Sequence, residues 1–195
     1  MPDSGRSAAL GFARESKIPF EEGIVPNRFV GRTFILPNQA QRDRAVAAKL
    51  NIIPDVVSGQ RIVIVEDSVV RGTTTRSKMR AIRRAGAKEI HLRVSCPPIR
   101  HPCFYGIDFP TSQELIAHNR TVQEIADELD ADSLAYLSID GVYEAIGTPA
   151  EDHCDACFSG RYPLGDPDEA NGKFALEDIA VAPASILARD EFVKR

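Results

Sequence analysis

The stretch that decides the fold is RIVIVEDSVVRGTTT, Arg61 to Thr75. Its first part, Arg61 to Glu66, follows a Ser-Gly turn and is a nearly unbroken β-branched run, the pattern of a strand covered on both faces in a parallel sheet. From Thr73 to Ala85 the spacing turns helical, with Met79 and Ile82 on an inner face and Gly86 at the stop. In an open parallel sheet, ligands sit beyond the carboxyl ends of the strands, and Glu66 and Asp67 fall at that place. Adjacent carboxylates repel each other and are seldom set side by side for stability, whereas they suit sugar hydroxyls or a magnesium ion. The residues after them, Ser68, Val69, Val70, Arg71, Gly72, Thr73 and Thr74, offer backbone N–H groups, hydroxyls and the positive end of a helix dipole, which together cradle an anion. Acids for a diol beside amides for a phosphate describe a ribose 5-phosphate site. The plainer reading is a strand–turn–helix connection with capping threonines, although a cap needs one hydroxyl and not three. Neither the GxxxxGKS/T phosphate loop nor a dinucleotide fingerprint occurs.

Outward from this stretch, strands and helices alternate. EIHLRVS, Glu89 to Ser95, is a second strand. Thr111–Ala117 and Thr121–Leu129 are short helical patterns, each opening on a threonine with an acid three residues on, TSQE and TVQE. Asp132–Ile146 holds a further strand and a closing helix. The alternation points to an open parallel α/β sheet flanked by helices. Upstream, residues 5–16 suit a helix capped near Ser4, Gln39–Leu50 has helical composition, and the stretch between them reads as a long irregular connection. A connection that long in a compact domain is usually a functional lid. We divide the chain into a domain over residues 1–147 and an appendage over 148–195 that carries a CxxC pair.

The 195 residues, 43% of them hydrophobic, suffice for one soluble globular domain with a real core. No window approaches the roughly 18 apolar residues of a membrane span, and the N-terminus lacks the pattern of a signal peptide. A cytoplasmic location is the default expectation. A net charge of -4 argues against nucleic acid as a partner. The local basic run Arg76, Lys78, Arg80, Arg83 and Arg84 reads as a solvated helix face. Nothing about Cys96, Cys103, Cys154 and Cys157 favours disulfides, so metal ligation or burial is the expectation for them.

VIVEDSVVRGTTT resembles the phosphoribosylpyrophosphate (PRPP) loop of type I phosphoribosyltransferases, and other strings narrow the resemblance to the amidophosphoribosyltransferases. They are PDSG (Pro2–Gly5), NRFVGRTFI (Asn27–Ile35), RRAGAKEI (Arg83–Ile90), PCFYGID (Pro102–Asp108), ELIAHNR (Glu114–Arg120) and ADSLAYLS (Ala131–Ser138). Several unrelated strings in the family's order make the likeness specific over at least residues 2–160.

The resemblance implies a type I phosphoribosyltransferase-like sheet and the conversion of PRPP and ammonia to 5-phosphoribosylamine and pyrophosphate in de novo purine biosynthesis. Glutamine would supply the ammonia through a separate glutaminase domain. Ser4, Glu66 and Asp67 would bind Mg2+ and the ribose and pyrophosphate oxygens, and Ser68–Thr74 the 5-phosphate. Arg28 and Arg32, in the expected lid, are candidate catalytic cations for the leaving pyrophosphate. Cys103, Cys154 and Cys157 resemble three of the four thiolate ligands of a structural 4Fe–4S cluster, with zinc or plain thiols as alternatives and Cys96 a buried small residue. A homo-oligomer, a tetramer, is implied as well.

The chain departs from the family's pattern in two residues, Glu66-Asp67 for Asp-Asp and Pro26 for a common lysine. It also starts at the PDSG string, so the expectation is an N-terminally truncated chain without the glutaminase domain and without the sheet strand that precedes PDSG. Two other functions fit the same residues: a non-catalytic PRPP-binding regulatory or assembly module, and a salvage phosphoribosyltransferase.

Overall fold

The computed structural model describes residues 4–26, 50–105, 107, 111–163 and 165. Its centre is a parallel sheet of three strands, β3 (Arg61–Glu66), β4 (Glu89–Val94) and β5 (Ser133–Tyr136), in the order β3-β4-β5. The register sets Ile64 against Leu92 and Leu92 against Leu134, so the apolar side chains form one continuous layer. Parallel neighbours need a crossover, and helices supply both. Helix α3 (Thr73–Arg84) joins β3 to β4, and α4 (Val122–Leu129) leads into β5.

Period explains how these helices dock. On α3, Thr75, Met79 and Ile82 form one buried stripe, and on α4 Ile125, Ala126 and Leu129 do the same. With Ile90 and Leu92 they make the core, and Met79, Ile90, Leu92, Ile125 and Leu129 are all fully enclosed. Each such side chain contributes roughly 2 kcal/mol through the apolar area it removes from water. Helix α4 begins in a complete capping box: the Thr121 hydroxyl accepts from the Glu124 N–H, and the Glu124 carboxylate accepts from the Thr121 N–H.

The strands at RIVIVE and EIHLRVS, the helices after Thr73 and Thr121, and the closing strand with its helix (Ile139–Ile146) stand where the sequence places them. Elsewhere the structure differs. The supposed irregular connection contains β1 (Ile24–Pro26), which pairs antiparallel with β2 (Leu50–Ile52). A one-turn helix, α2 (Pro54–Val57), follows β2. The helix expected over Gln39–Leu50 lies outside the described residues except for Leu50, which opens β2. TSQE forms only a 3-10 turn over Ser112–Glu114 without a side-chain cap, because the next residue, Leu115, leaves helical backbone geometry.

Helix α1 (Arg6–Ser16) is present, but Gly5 rather than Ser4 is its N-cap residue and no side chain caps it. The basic run on α3 is not simply a solvated face either. Arg76 pairs with Glu128 of α4, Arg83 with Asp132 before β5 at 2.9 Å, and Lys78 with Glu66 at the end of β3, while Arg80 and Arg84 are exposed.

Two further features frame the site. Beside β3 on the side away from β4 runs a groove of about 740 Å³, lined by Phe12 of α1, Phe20, Ile24, Ile62 and Ile82. Among the described residues no strand pairs with that edge of β3. After β4, residues 100–105 are sewn to the CxxC segment: the Cys157 carbonyl accepts from the N–H groups of Arg100 and His101 at 2.9 and 3.1 Å, and the Tyr162 hydroxyl donates to the Pro102 carbonyl at 2.8 Å. Among the described residues no helix is long and apolar enough to cross a membrane.

Candidate functional site

The site starts where β3 ends. Glu66, the last residue of the strand, is 5% exposed, and Asp67, one residue on, is half-buried. Asp67 lies one residue beyond β3, and its side chain is within hydrogen-bond reach of Glu66. The Glu66 backbone carbonyl accepts from Ser95 N–H at 2.9 Å, tying the start of the loop to the end of β4.

The two carboxyls titrate apart. Burial pushes Glu66 above the usual carboxylate range, with the Lys78 ammonium pulling the other way and the Asp67 charge adding to the rise. At Asp67, burial also works upward, but hydrogen bonds from the Ser4 hydroxyl, the Ser68 N–H and Glu66 outweigh it and hold the group below its ordinary range. A carboxyl held low in this way is ionised at neutral pH, the form that accepts from hydroxyls or ligates a hard cation. Ser4, which the sequence offers both as a cap and as a ligand, stands against Asp67 from the start of α1.

The loop that follows is held from both ends. Ser68 N–H donates to Asp67 Oδ1 at 2.7 Å, which turns the chain sharply out of the strand. Val69 is 2% exposed, so its side chain belongs to the core. Ile116 N–H donates to the Val70 carbonyl at 2.9 Å, and Arg71 pairs with Glu114 at 2.7 Å. Gly72 turns into α3 with φ 75°, a left-handed conformation in which an L side chain is strained. The N-cap residue of α3 is Gly72, which has no side chain to cap the helix, so the N–H groups of its first turn have no intrahelical partner and none from the N-cap residue. Thr73 and Thr74 are exposed there, whereas Thr75 is buried. The threonine run is thus two outward hydroxyls and one core residue, which disposes of the capping explanation.

The structure brings together Ser4, Glu66, Asp67 and the loop Ser68–Thr74; Arg28 and Arg32 lie outside the described residues. Sequence reading missed Lys78, Ser95, Glu114 and Ile116, the groups that hold the acids and the loop. Only Lys78 left a signal, as a lysine inside the apolar stripe of α3.

Cys96 lies within electrostatic reach of both Asp67 and Cys157. Burial pushes the Cys96 thiol up to about 12, with the charges of Asp67 and Cys157 adding to the effect. Cys157 is pushed up to about 11, first by burial and then by Cys103 and Cys154. All four are free thiols. Among the described residues, no group of three or more His, Cys, Asp and Glu side chains is drawn together closely enough to hold a metal ion.

The chain is 52% identical over 180 residues to an amidophosphoribosyltransferase of Synechocystis sp., a match that covers 92% of this chain and 36% of that protein. With the enzyme of the same name from Bacillus subtilis it is 50% identical over 167 residues, 84% of this chain and 35% of that one. A solved structure of glutamine PRPP amidotransferase from B. subtilis, complexed with ADP and GMP, superposes with a TM-score of 0.74 at 51% identity, over 83% of this chain and 36% of that chain. The chain matches the phosphoribosyltransferase part of the amidophosphoribosyltransferases. No family model matches it. The α/β architecture is that of the type I phosphoribosyltransferase domain of these enzymes, with a parallel sheet between helices. The chain spans about a third of the length of the curated amidophosphoribosyltransferases it matches, 36% in the Synechocystis protein.

Proposed function

We propose that the chain carries the phosphoribosyl-transfer half of amidophosphoribosyltransferase: PRPP and glutamine-derived ammonia give 5-phosphoribosylamine and pyrophosphate in purine biosynthesis. The observation that carries this reading is an ionised, half-exposed Asp67 standing directly before an uncapped helix start at the carboxyl edge of a parallel sheet, in a chain half identical to those enzymes.

Displacement of pyrophosphate at the anomeric carbon passes through an oxocarbenium-like state, so the protein's work is positioning and charge stabilisation rather than nucleophilic attack. Asp67 accepts from ribose hydroxyls and, with Ser4, completes the polar side of the site. The loop Ser68–Thr74 binds the 5-phosphate through backbone N–H groups and the hydroxyls of Thr73 and Thr74. Arg28 and Arg32 belong to the proposal as the cations that meet the pyrophosphate. Asp67, Ser4 and Glu66 fit a hard divalent cation by the chemistry of their oxygens, and bound Mg2+ would supply neutralisation of the pyrophosphate charge.

For a 4Fe–4S cluster on Cys103, Cys154 and Cys157 the support is that these thiols are free and near enough to influence one another; ligation requires them to converge further. The free thiols also support a cytoplasmic location. The homo-oligomer, and the division into residues 1–147 and 148–195, rest on the resemblance alone.

The test is pyrophosphate release from PRPP by the purified chain with Mg2+ and ammonium, at a pH where free ammonia is present. Ammonia-dependent release is the expected result. PRPP uptake without turnover replaces the reading with the regulatory module, and turnover only with a nucleobase replaces it with a salvage enzyme.

A further inference from the structure

The turn between β3 and α3 is held from outside by a segment that has a holder of its own. Ile116 N–H donates to the Val70 carbonyl at 2.9 Å, and its Cδ1 methyl fills the space over Gly72 where a Cβ would stand. Leu115, Ile116 and Ala117 are buried, yet they lie in no helix or strand, so no regular ladder of backbone bonds fixes them.

Arg100 supplies that support. Its Nη1 donates to the Ala117 carbonyl at 3.0 Å and to the Arg120 carbonyl at 3.3 Å. The chain turns between these two acceptors at Asn119, whose φ of 53° lies in the left-handed region that asparagine tolerates. One guanidinium therefore closes both ends of the bend. A second bond runs the other way: the Arg100 carbonyl can only accept, so His118 Nδ1, 3.2 Å away, donates to it, and Asn119 Nδ2 donates to the other ring nitrogen at 3.0 Å. Arg100 is itself anchored, because the Cys157 carbonyl accepts from its N–H and from that of His101, and the residue before it, Ile99, is 2% exposed. An arginine whose backbone is fixed in this way reaches its acceptors at little further entropy cost, and its planar donors set their direction.

We propose that Arg100 is a positioning residue for the phosphate end of the site: it clasps the bend over 115–120, holds Ile116 against Val70 and Gly72, and thereby keeps the turn between β3 and α3 in the shape that receives the 5-phosphate. The inference rests on the PRPP reading given above and extends it to a side chain that acts on the turn only through Ile116. Binding free energies couple reciprocally, so a ligand in the turn and the bonds around Arg100 strengthen each other. The acids at the end of β3 take no part in the clasp, and a ligand that meets them alone is indifferent to it.

The experiment compares the full 195-residue chain with its variants Arg100→Met, Arg100→Lys and Arg84→Met, the last removing an exposed charge from the far end of α3. Calorimetric titration uses two probes, ribose 5-phosphate for the turn and pyrophosphate with Mg2+ for the acids, and amide hydrogen exchange follows single N–H groups. Arg100→Met weakens ribose 5-phosphate binding about tenfold and leaves pyrophosphate binding within about twofold of wild type. Exchange at the Ile116 amide speeds up about tenfold. Arg100→Lys, which keeps a charged donor for the Ala117 carbonyl, restores both quantities to within about threefold, and Arg84→Met leaves them unchanged. In wild type, saturating ribose 5-phosphate slows exchange at the Arg100 and His101 amides but not at Gly147, whose N–H donates to the Tyr143 carbonyl; this measurement stands even where Arg100→Met does not fold. The inference is overturned if Arg100→Met binds both probes like wild type, if it loses both equally, or if the Arg100 and His101 amides ignore the sugar phosphate. Wild type that takes up neither ribose 5-phosphate nor PRPP sinks the PRPP reading instead, and Ile116 exchange then decides the clasp by itself: an unchanged rate in Arg100→Met overturns it, and a faster one sustains it.

Discussion

Gly72 is the position at which the shape of the loop between β3 and α3 is most exposed to a single atom. Its φ of 75° costs an L residue about 1 kcal/mol. A Cβ placed there runs into Cδ1 of Ile116 and lies 3.2 Å from Cδ2 of Leu129. Ile116 is 3% exposed and Leu129 fully enclosed, so neither side chain has free space into which to swing, and overpacking of this kind adds about 1–3 kcal/mol. Gly72→Ala is therefore expected to destabilise by about 2–4 kcal/mol, read from the urea midpoint and slope. The steric share is separable, because Ile116→Val deletes the colliding methyl at a cost of about 1 kcal/mol alone. The double variant Gly72→Ala/Ile116→Val should be more stable than the sum of the single costs by about 1–3 kcal/mol, leaving the backbone share in place. A Gly72→Ala protein within about 0.5 kcal/mol of wild type refutes the account of the loop, and strict additivity in the double variant refutes the contact with Ile116.

Three other outcomes follow from the environments of single groups. The Asp132 carboxyl is held below its ordinary range first by the Ile90 N–H, against a small desolvation, and then by Arg83. Its folded pKa being the lower one, its contribution is complete above the unfolded value near 4 and is lost as pH falls through that value and the folded one, so the midpoint difference between wild type and Asp132→Asn stays constant from about pH 7 to 5 and closes below about 4. The Tyr136 hydroxyl is buried without a hydrogen-bond partner among the described residues, so Tyr136→Phe should leave the melting temperature unchanged or raise it by an amount equivalent to about 1 kcal/mol, whereas a clear drop means that the hydroxyl has a partner. With thiols pushed up to about 12 and about 11, Cys96 and Cys157 should resist iodoacetamide at pH 8 while exposed Cys154 is alkylated first, as peptide mass mapping will show; early modification of Cys96 contradicts its burial.

What was legible in the sequence was what local pattern determines. RIVIVE carries its burial in its own composition, α3 and α4 carry theirs in stripes of period 3.6, and Thr121 with Glu124 closes a capping box within four residues. What was illegible depends on partners distant along the chain. Ile24–Pro26 is a strand only because Leu50–Ile52 pairs with it, and three residues ending in proline announce nothing by themselves. Ser4 looked like a cap because it precedes a helix, but its hydroxyl goes to Asp67, more than sixty residues on, and local chemistry gives no warning of that. At the site, the acids and the threonine run were visible, while the groups that sort them were not: Lys78 showed only as a charge out of phase, and Ile116 only as one more apolar residue.

The bond from Ile116 to the Val70 carbonyl, with the packing of Ile116 over Gly72, bears on the order in which the molecule assembles. A peptide covering Arg61 to Arg84 contains the whole of the strand, the turn and the helix, yet it lacks the clamp that gives the turn its curvature. The turn between β3 and α3 consequently takes its final form late in folding, only when a segment about forty residues further along closes over it.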